Sequence, residues 1–249
     1  MARKPVKQAR SMRPFYIGLG VIALAGVAFI LYQSAGGGTG ATEPVMVAID
    51  PAELSRVPGI SMGREDAPVV IYEFADFQCP ACGQYASFTM PLVKERLIDT
   101  GQVRYVYYDF PLSMHPNAFL ASRAGRCANE QERFWDYHDV LYARQPTWAP
   151  MGDPTDTFVE MADEIGLDSG AFEGCLRSDR YQDEVSRSMQ LAEMLGVRST
   201  PSLFVNMQRI TLQTIPTYAD VEGFVRDAMG GPQAAASAAP DTTAAAATP

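Results

Sequence analysis

The tetrad Cys79–Pro80–Ala81–Cys82 constrains this chain more than any other feature, because of what stands on either side of it. Before it runs PVVIYEFA (68–75), β-branched and aromatic, which reads as a buried strand. After it the pattern is helical from about 80 to 99, with Gly101 ending the helix. This placement puts Cys79 at a helix N-terminus, beside unpaired main-chain N–H groups and the positive end of the helix dipole. Both stabilise a thiolate. Pro80 suits the first helical position, where its missing N–H would go unpaired anyway. Cys82 follows one turn later, so the two sulfurs reach disulfide geometry with little backbone movement. Cys79 is the expected nucleophile and Cys82 the thiol that resolves a mixed disulfide.

Two other readings of the tetrad are weaker. A zinc site needs four ligands, and the remaining candidates (Cys127, Cys175, His115 and His138) form no second ligand pair, so no metal is expected. A purely structural bridge at this spacing would staple almost no loop. His115 and His138 have no catalytic pattern around them. His138 in FWDYHDVLY reads as a packing or surface residue, and Phe134, Trp135, Tyr137 and Tyr142 fit core spacing. Gly36–Gly38 lack the Lys-Ser/Thr of a phosphate loop. No cofactor beyond the dithiol is expected.

The compartment is read from the N-terminus. Residues 15–32, FYIGLGVIALAGVAFILY, form an uncharged apolar run. As a helix it would span roughly 27 Å, close to the hydrocarbon thickness of a bilayer. Arg3, Lys4, Lys7, Arg10 and Arg13 all precede it, which predicts a cytoplasmic basic segment (1–14), a transmembrane anchor or uncleaved signal (15–32) and an exported remainder. If the small residues after the run are a cleavage region, the product is secreted or periplasmic instead. The net charge is −9, and since residues 1–33 hold five bases and no acid, the rest of the chain carries −14. Such a domain is repelled by phosphate backbones, which excludes nucleic acid as a partner.

Residues 33–44 read as a flexible linker and 231–249 as a disordered Ala-rich tail. One domain is expected at 45–230. VRYVYYDF (103–110) reads as a second strand, about 114–195 as a helical block, SLFVN (202–206) and RITL (209–212) as strands, and about 217–229 as a helix. The order β-α-β, helical block, β-β-α is an α/β core with an all-helical insertion.

The segment EFADFQCPAC (73–82) resembles the active-site signature of the DsbA-like branch of the thioredoxin superfamily, and Ser199–Thr200–Pro201 before SLFVN resembles that family's cis-proline loop. The stretches 127–138 and 195–206 resemble the start of the family's helical insertion and its return to the core. The resemblance covers about 66–228 and implies a thioredoxin fold, a mixed sheet flanked by helices. It implies that Thr200 and Pro201 shape the substrate site opposite the dithiol, and that Glu73 is a buried acid assisting proton transfer. The residue pattern alone leaves Glu73 equally open to a solvent-facing strand-edge position. Some members carry a second bridge in the insertion, and two cysteines there in an oxidising compartment more often pair than stay free, so a Cys127–Cys175 disulfide is expected. Ala81 stands where the strongly oxidising archetype has histidine, which implies a less oxidising pair. Asn206–Met207 stands where the family often has Asn-Gly, leaving the turn there open.

The expected function is an extracytoplasmic thiol–disulfide oxidoreductase forming or exchanging disulfides in exported unfolded or thiol-bearing proteins. The family implies a quinone-linked membrane partner that reoxidises it. No dimerisation domain precedes the core, so a monomer is expected. The alternatives are a reductase or isomerase of the same fold, or a redox-inactive binding or chaperone module.

Overall fold

The computed structural model describes residues 56–230 apart from 211 and 213, together with 19–20, 22, 24–27, 45–46 and 54. The chain divides into two units, Met1–Glu43 and Pro44–Pro249. In the first, the described positions are helical, and Leu19, Ile22, Leu24 and Val27 are exposed. Among the described residues no helix is long and apolar enough to cross a membrane. The expected basic segment, the linker, the tail and most of the 15–32 run lie outside the described residues.

The second unit is built on a mixed sheet. Its strands are β1 (Val45–Met46), β2 (Ile60–Met62), β3 (Val69–Ala75), β4 (Val103–Asp109), β5 (Ser202–Val205) and β6 (Gln208–Arg209). They lie in the order β1-β6-β5-β3-β4-β2, with β3 and β4 parallel and every other pair antiparallel. Strand β3 is central, flanked by β4 and β5, which explains a run of apolar residues with little alternation. The short edge strands β1 and β2 carry no pattern long enough to read. The strand expected over 209–212 is regular only at Gln208–Arg209, although the Ile210 N–H still donates to Leu203 O at 2.8 Å.

Helix α1 runs over 80–98, with π turns at Tyr85–Thr89 and Lys94–Ile98. Pro91 lies inside it. A proline here removes one N–H and crowds the carbonyl four residues back, and the widened turn just before it relieves both. Gly101 follows at φ 77°, with its N–H on Ile98 O and that of Gln102 on Leu97 O, the left-handed close that releases the chain into β4.

Between β4 and β5 come α2 (Ala118–Asn129), α3 (Phe134–Ala143), α4 (Gln145–Trp148), α5 (Thr155–Glu164), α6 (Ser169–Leu176) and α7 (Gln182–Met194), with α8 (Tyr218–Gly230) closing the fold. One face of the sheet, through Val69, Ile71, Leu203 and Val205, packs on Val93 and Leu97 of α1 and Val221 and Val225 of α8. The other, through Phe74, Val106, Tyr108 and Phe204, packs on Leu191 and Ala192 of α7. The insertion builds its own core around Trp148, Phe158 and Phe172, continuous with Phe77, Cys79 and Cys82. The dithiol therefore sits where insertion and sheet core meet.

Cys127 of α2 and Cys175 of α6 are joined by a disulfide, both nearly inaccessible. Hairpin β5–β6 turns on Asn206 and Met207, both in the left-handed region at φ 45° and 68°. This is the tight two-residue geometry that Asn-Gly favours. Asn206 is held there by both ends: its N–H donates to Val70 O at 2.9 Å, and its side-chain carbonyl accepts the Val70 N–H at 2.8 Å.

Candidate active site

Cys79 takes extended backbone angles (φ −72°, ψ 122°) as the cap of α1, with Pro80 in the first helical position. Its N–H donates to Asp76 O, its carbonyl accepts from Gly83 N–H, and Gln145 Nε2 bridges to it and to Phe77 O. Cys79 is 8% exposed and Cys82 1%; both are free thiols.

The Thr200–Pro201 peptide bond is cis. It brings Thr200 O to the dithiol, 3.5 Å from Cys79 Sγ. The structure therefore joins residues 121 positions apart into one site. Thr200 Oγ1 is buried with no hydrogen-bond partner among the described residues.

The two thiols are pushed in opposite directions. The Cys82 side chain, followed by Thr200 and the main-chain N–H groups of Cys82 and Ala81, draws the Cys79 thiol down to about 5, against the opposing effect of burial. Burial pushes the Cys82 thiol up, aided by the Cys79 sulfur and the Glu73 charge. The surroundings thus favour the anion at Cys79 and the protonated thiol at Cys82.

Glu73 is buried at 3% exposure, so the solvent-facing alternative does not hold: β4 and β5 flank its strand on both sides. Its carboxylate accepts from Tyr105 O–H at 2.9 Å, and Tyr105 O–H also lies 3.3 Å from Tyr85 O–H. Burial raises the carboxyl to about 7. A carboxyl there can hold or give up a proton near neutral pH, and its charge is felt at Cys82.

Asp76, which carries no signal in the sequence, also stands here: fully buried, it holds His115 Nδ1 at 2.6 Å. His138 is buried among Phe77, Tyr107, Trp135 and Tyr142, with ring centroids 4.9 to 5.7 Å away, and acts as a packing residue. Among the described residues no group of side chains could hold a metal ion.

A dithiol at a helix N-terminus, facing a cis-proline loop on this sheet, is a thioredoxin-fold redox centre. A family profile described as thioredoxin matches residues 55–227. The chain is 31% identical over 150 residues to the Bacillus cereus protein named "Probable disulfide bond formation protein D", covering 59% of this chain and 69% of that one. It is 36% identical over 174 residues to the Na(+)/H(+) antiporter NhaA 3 of Salinispora tropica, covering 68% of this chain and 24% of the antiporter. The chain thus spans about a quarter of the antiporter's length. Among solved structures, oxidised BdbD from Bacillus subtilis superposes with a TM-score of 0.64 at 20% identity, covering 76% of this chain and 99% of that one, a likeness of fold. This chain belongs to the thioredoxin family, among the DsbA-like thiol–disulfide oxidoreductases.

Proposed function

We propose that the chain is an extracytoplasmic disulfide donor acting on exported proteins, with Cys79 and Cys82 as its redox pair and no further cofactor. The observation that carries this is the asymmetry of the pair: a stabilised Cys79 sulfur facing the Thr200–Pro201 loop, and a buried Cys82 held as a thiol. In the oxidised enzyme a substrate thiolate attacks Cys79 Sγ, the Cys79–Cys82 bond breaks, and Cys82 departs and takes a proton, for which Glu73 is the proposed source. A second substrate thiolate then attacks the substrate sulfur of the mixed disulfide and releases Cys79. A low-pKa sulfur leaves fast, which favours this direction. Thr200 and Pro201 present main-chain groups to the substrate strand.

The reduced pair passes its two electrons to a reoxidant, for which a quinone-linked membrane protein is the proposed class. The 15–32 run anchors the enzyme, as a monomer, near that partner and raises its effective concentration. The buried Cys127–Cys175 bridge supports an oxidising compartment.

The test is the reduction potential of the pair in the full chain, equilibrated in glutathione buffers. A value between about −270 and −120 mV is expected, since Ala81 offers no imidazole to stabilise the thiolate further. A value at or below thioredoxin's would turn the reading towards a reductase. The absence of reversible titration would leave a binding module of the same fold.

A further inference from the structure

Asp76 lies three residues before Cys79, and each of its polar groups holds something different. Its main-chain carbonyl accepts the Cys79 N–H at 3.1 Å. Its carboxylate accepts from Gln78 N–H at 2.7 Å inside the active-site turn, from Leu112 N–H at 2.8 Å and from His115 Nδ1 at 2.6 Å. The last two belong to the segment that leaves β4. That segment is fastened a second time, by Asn117 N–H donating to the Gln78 side-chain carbonyl at 2.7 Å. The Asp76 carboxylate has no solvent exposure and His115 only 18%, so the pair is shielded from the screening that weakens surface pairs.

We propose that the Asp76–His115 pair is a positioning device for the dithiol. It bolts the active-site turn to the segment after β4, so that the Asp76 carbonyl holds the Cys79 N–H at the start of the helix that carries both cysteines, and it thereby sets the balance between dithiol and disulfide forms. The inference rests on the redox reading of Cys79–Cys82. Neither side chain touches the reacting sulfurs; both act through the main chain of the turn. The physical reason is directional. N–H groups stabilise a sulfur anion only while they point at it, and hydrogen bonds weaken steeply with misalignment. A loosened turn costs the reduced form more than the disulfide form, in which the covalent bond itself holds the two sulfurs.

The equilibrium to measure is the dithiol plus glutathione disulfide against the Cys79–Cys82 disulfide plus two glutathione thiols. The glutathione S–S bond breaks, the Cys79–Cys82 bond forms, and the two glutathione sulfurs take the Cys82 proton and one proton from solvent. In the full chain, His115→Leu removes the donor. It should shift the constant about tenfold towards the protein disulfide, about 30 mV for a two-electron couple. His115→Asn keeps an N–H donor near the Nδ1 position and should stay within about threefold of wild type. Glu184→Gln breaks the ion pair with Arg126, which is separate from the dithiol, and should leave the constant unchanged. If the leucine variant does not fold, Asp76→Asn replaces it and should shift the constant in the same direction. An unmoved constant in the folded variant, or an equal shift in Glu184→Gln, overturns the positioning role while a titrating wild type keeps the redox reading. A wild type that does not titrate reversibly overturns both.

Discussion

Cys79 and Cys82 share one helical turn, yet the first is surrounded by donors and the second by apolar side chains and a carboxyl. With the Cys79 thiol near 5, its alkylation by iodoacetamide in the reduced protein should be half-maximal near pH 5 and level above about pH 6. Half-maximal reaction near 8.5 would mean that the turn does not stabilise the anion. Because this pKa is depressed on folding, it stabilises the reduced protein fully above the unfolded thiol's pKa. That contribution disappears as pH falls towards 5. Glu73 has the opposite sign: its raised value means that its stability is present at low pH and lost between 4.5 and about 7. Glutamine cannot titrate. Glu73→Gln should therefore gain on the reduced wild type across that window by up to roughly 3 kcal/mol, at 1.36 kcal/mol per unit. Urea unfolding at pH 4.5 and 7.5 reads the difference; a gap that does not change with pH would exclude a titrating buried carboxyl. The cysteines and Thr200–Pro201 could be picked out in the sequence because their signals are local: a motif placed between strand and helix, and a proline placed before a strand. Asp76 and His115 could not, since they meet across 39 positions and neither sits in a periodic pattern.

At the scale of elements, the insertion depends on its bridge. Helices α2 and α6 are joined by Cys127–Cys175 at a separation of 48 residues, and closing such a loop is worth about 4 kcal/mol in the chain-entropy model. The paired change Cys127→Ala, Cys175→Ala should lower the unfolding free energy by about that amount, read by urea denaturation. A loss under 1 kcal/mol would mean that the packing around Phe158 and Phe172 holds the helices unaided. The edge strand β2 depends on Gly63, which stands at φ 91° with Val103 O only 2.7 Å from where a Cβ would be. Gly63→Ala combines a left-handed backbone with a backbone clash and should cost about 2 kcal/mol. Unchanged thermal unfolding would show that the turn relaxes without loss. Long elements such as β3, β4 and α1 were readable because their apolar runs are long. The edge strands are two or three residues each, and only the neighbours they pair with make them strands. Likewise, the burial of Glu73 depended on which strand became central, a matter of topology rather than of local pattern.

For the whole molecule, the helical block and the β-β-α return were legible as a change of period, and the meeting of the insertion core with the dithiol was not. That meeting comes from Phe77, which packs on Tyr107 and Tyr142 immediately beside Cys79. Since the proposed enzyme acts alone, light scattering of the full chain in detergent should give the mass of one chain; a stable dimer would contradict the monomeric reading. The Cys127–Cys175 bridge also bears on how each molecule comes into being. Cys127 and Cys175 are 1% and 3% exposed, so the closed insertion shields the bond from solvent. The bond is therefore expected to form while the chain is still open. With the proposed activity, an already oxidised copy of the same enzyme is one catalyst able to make that bond.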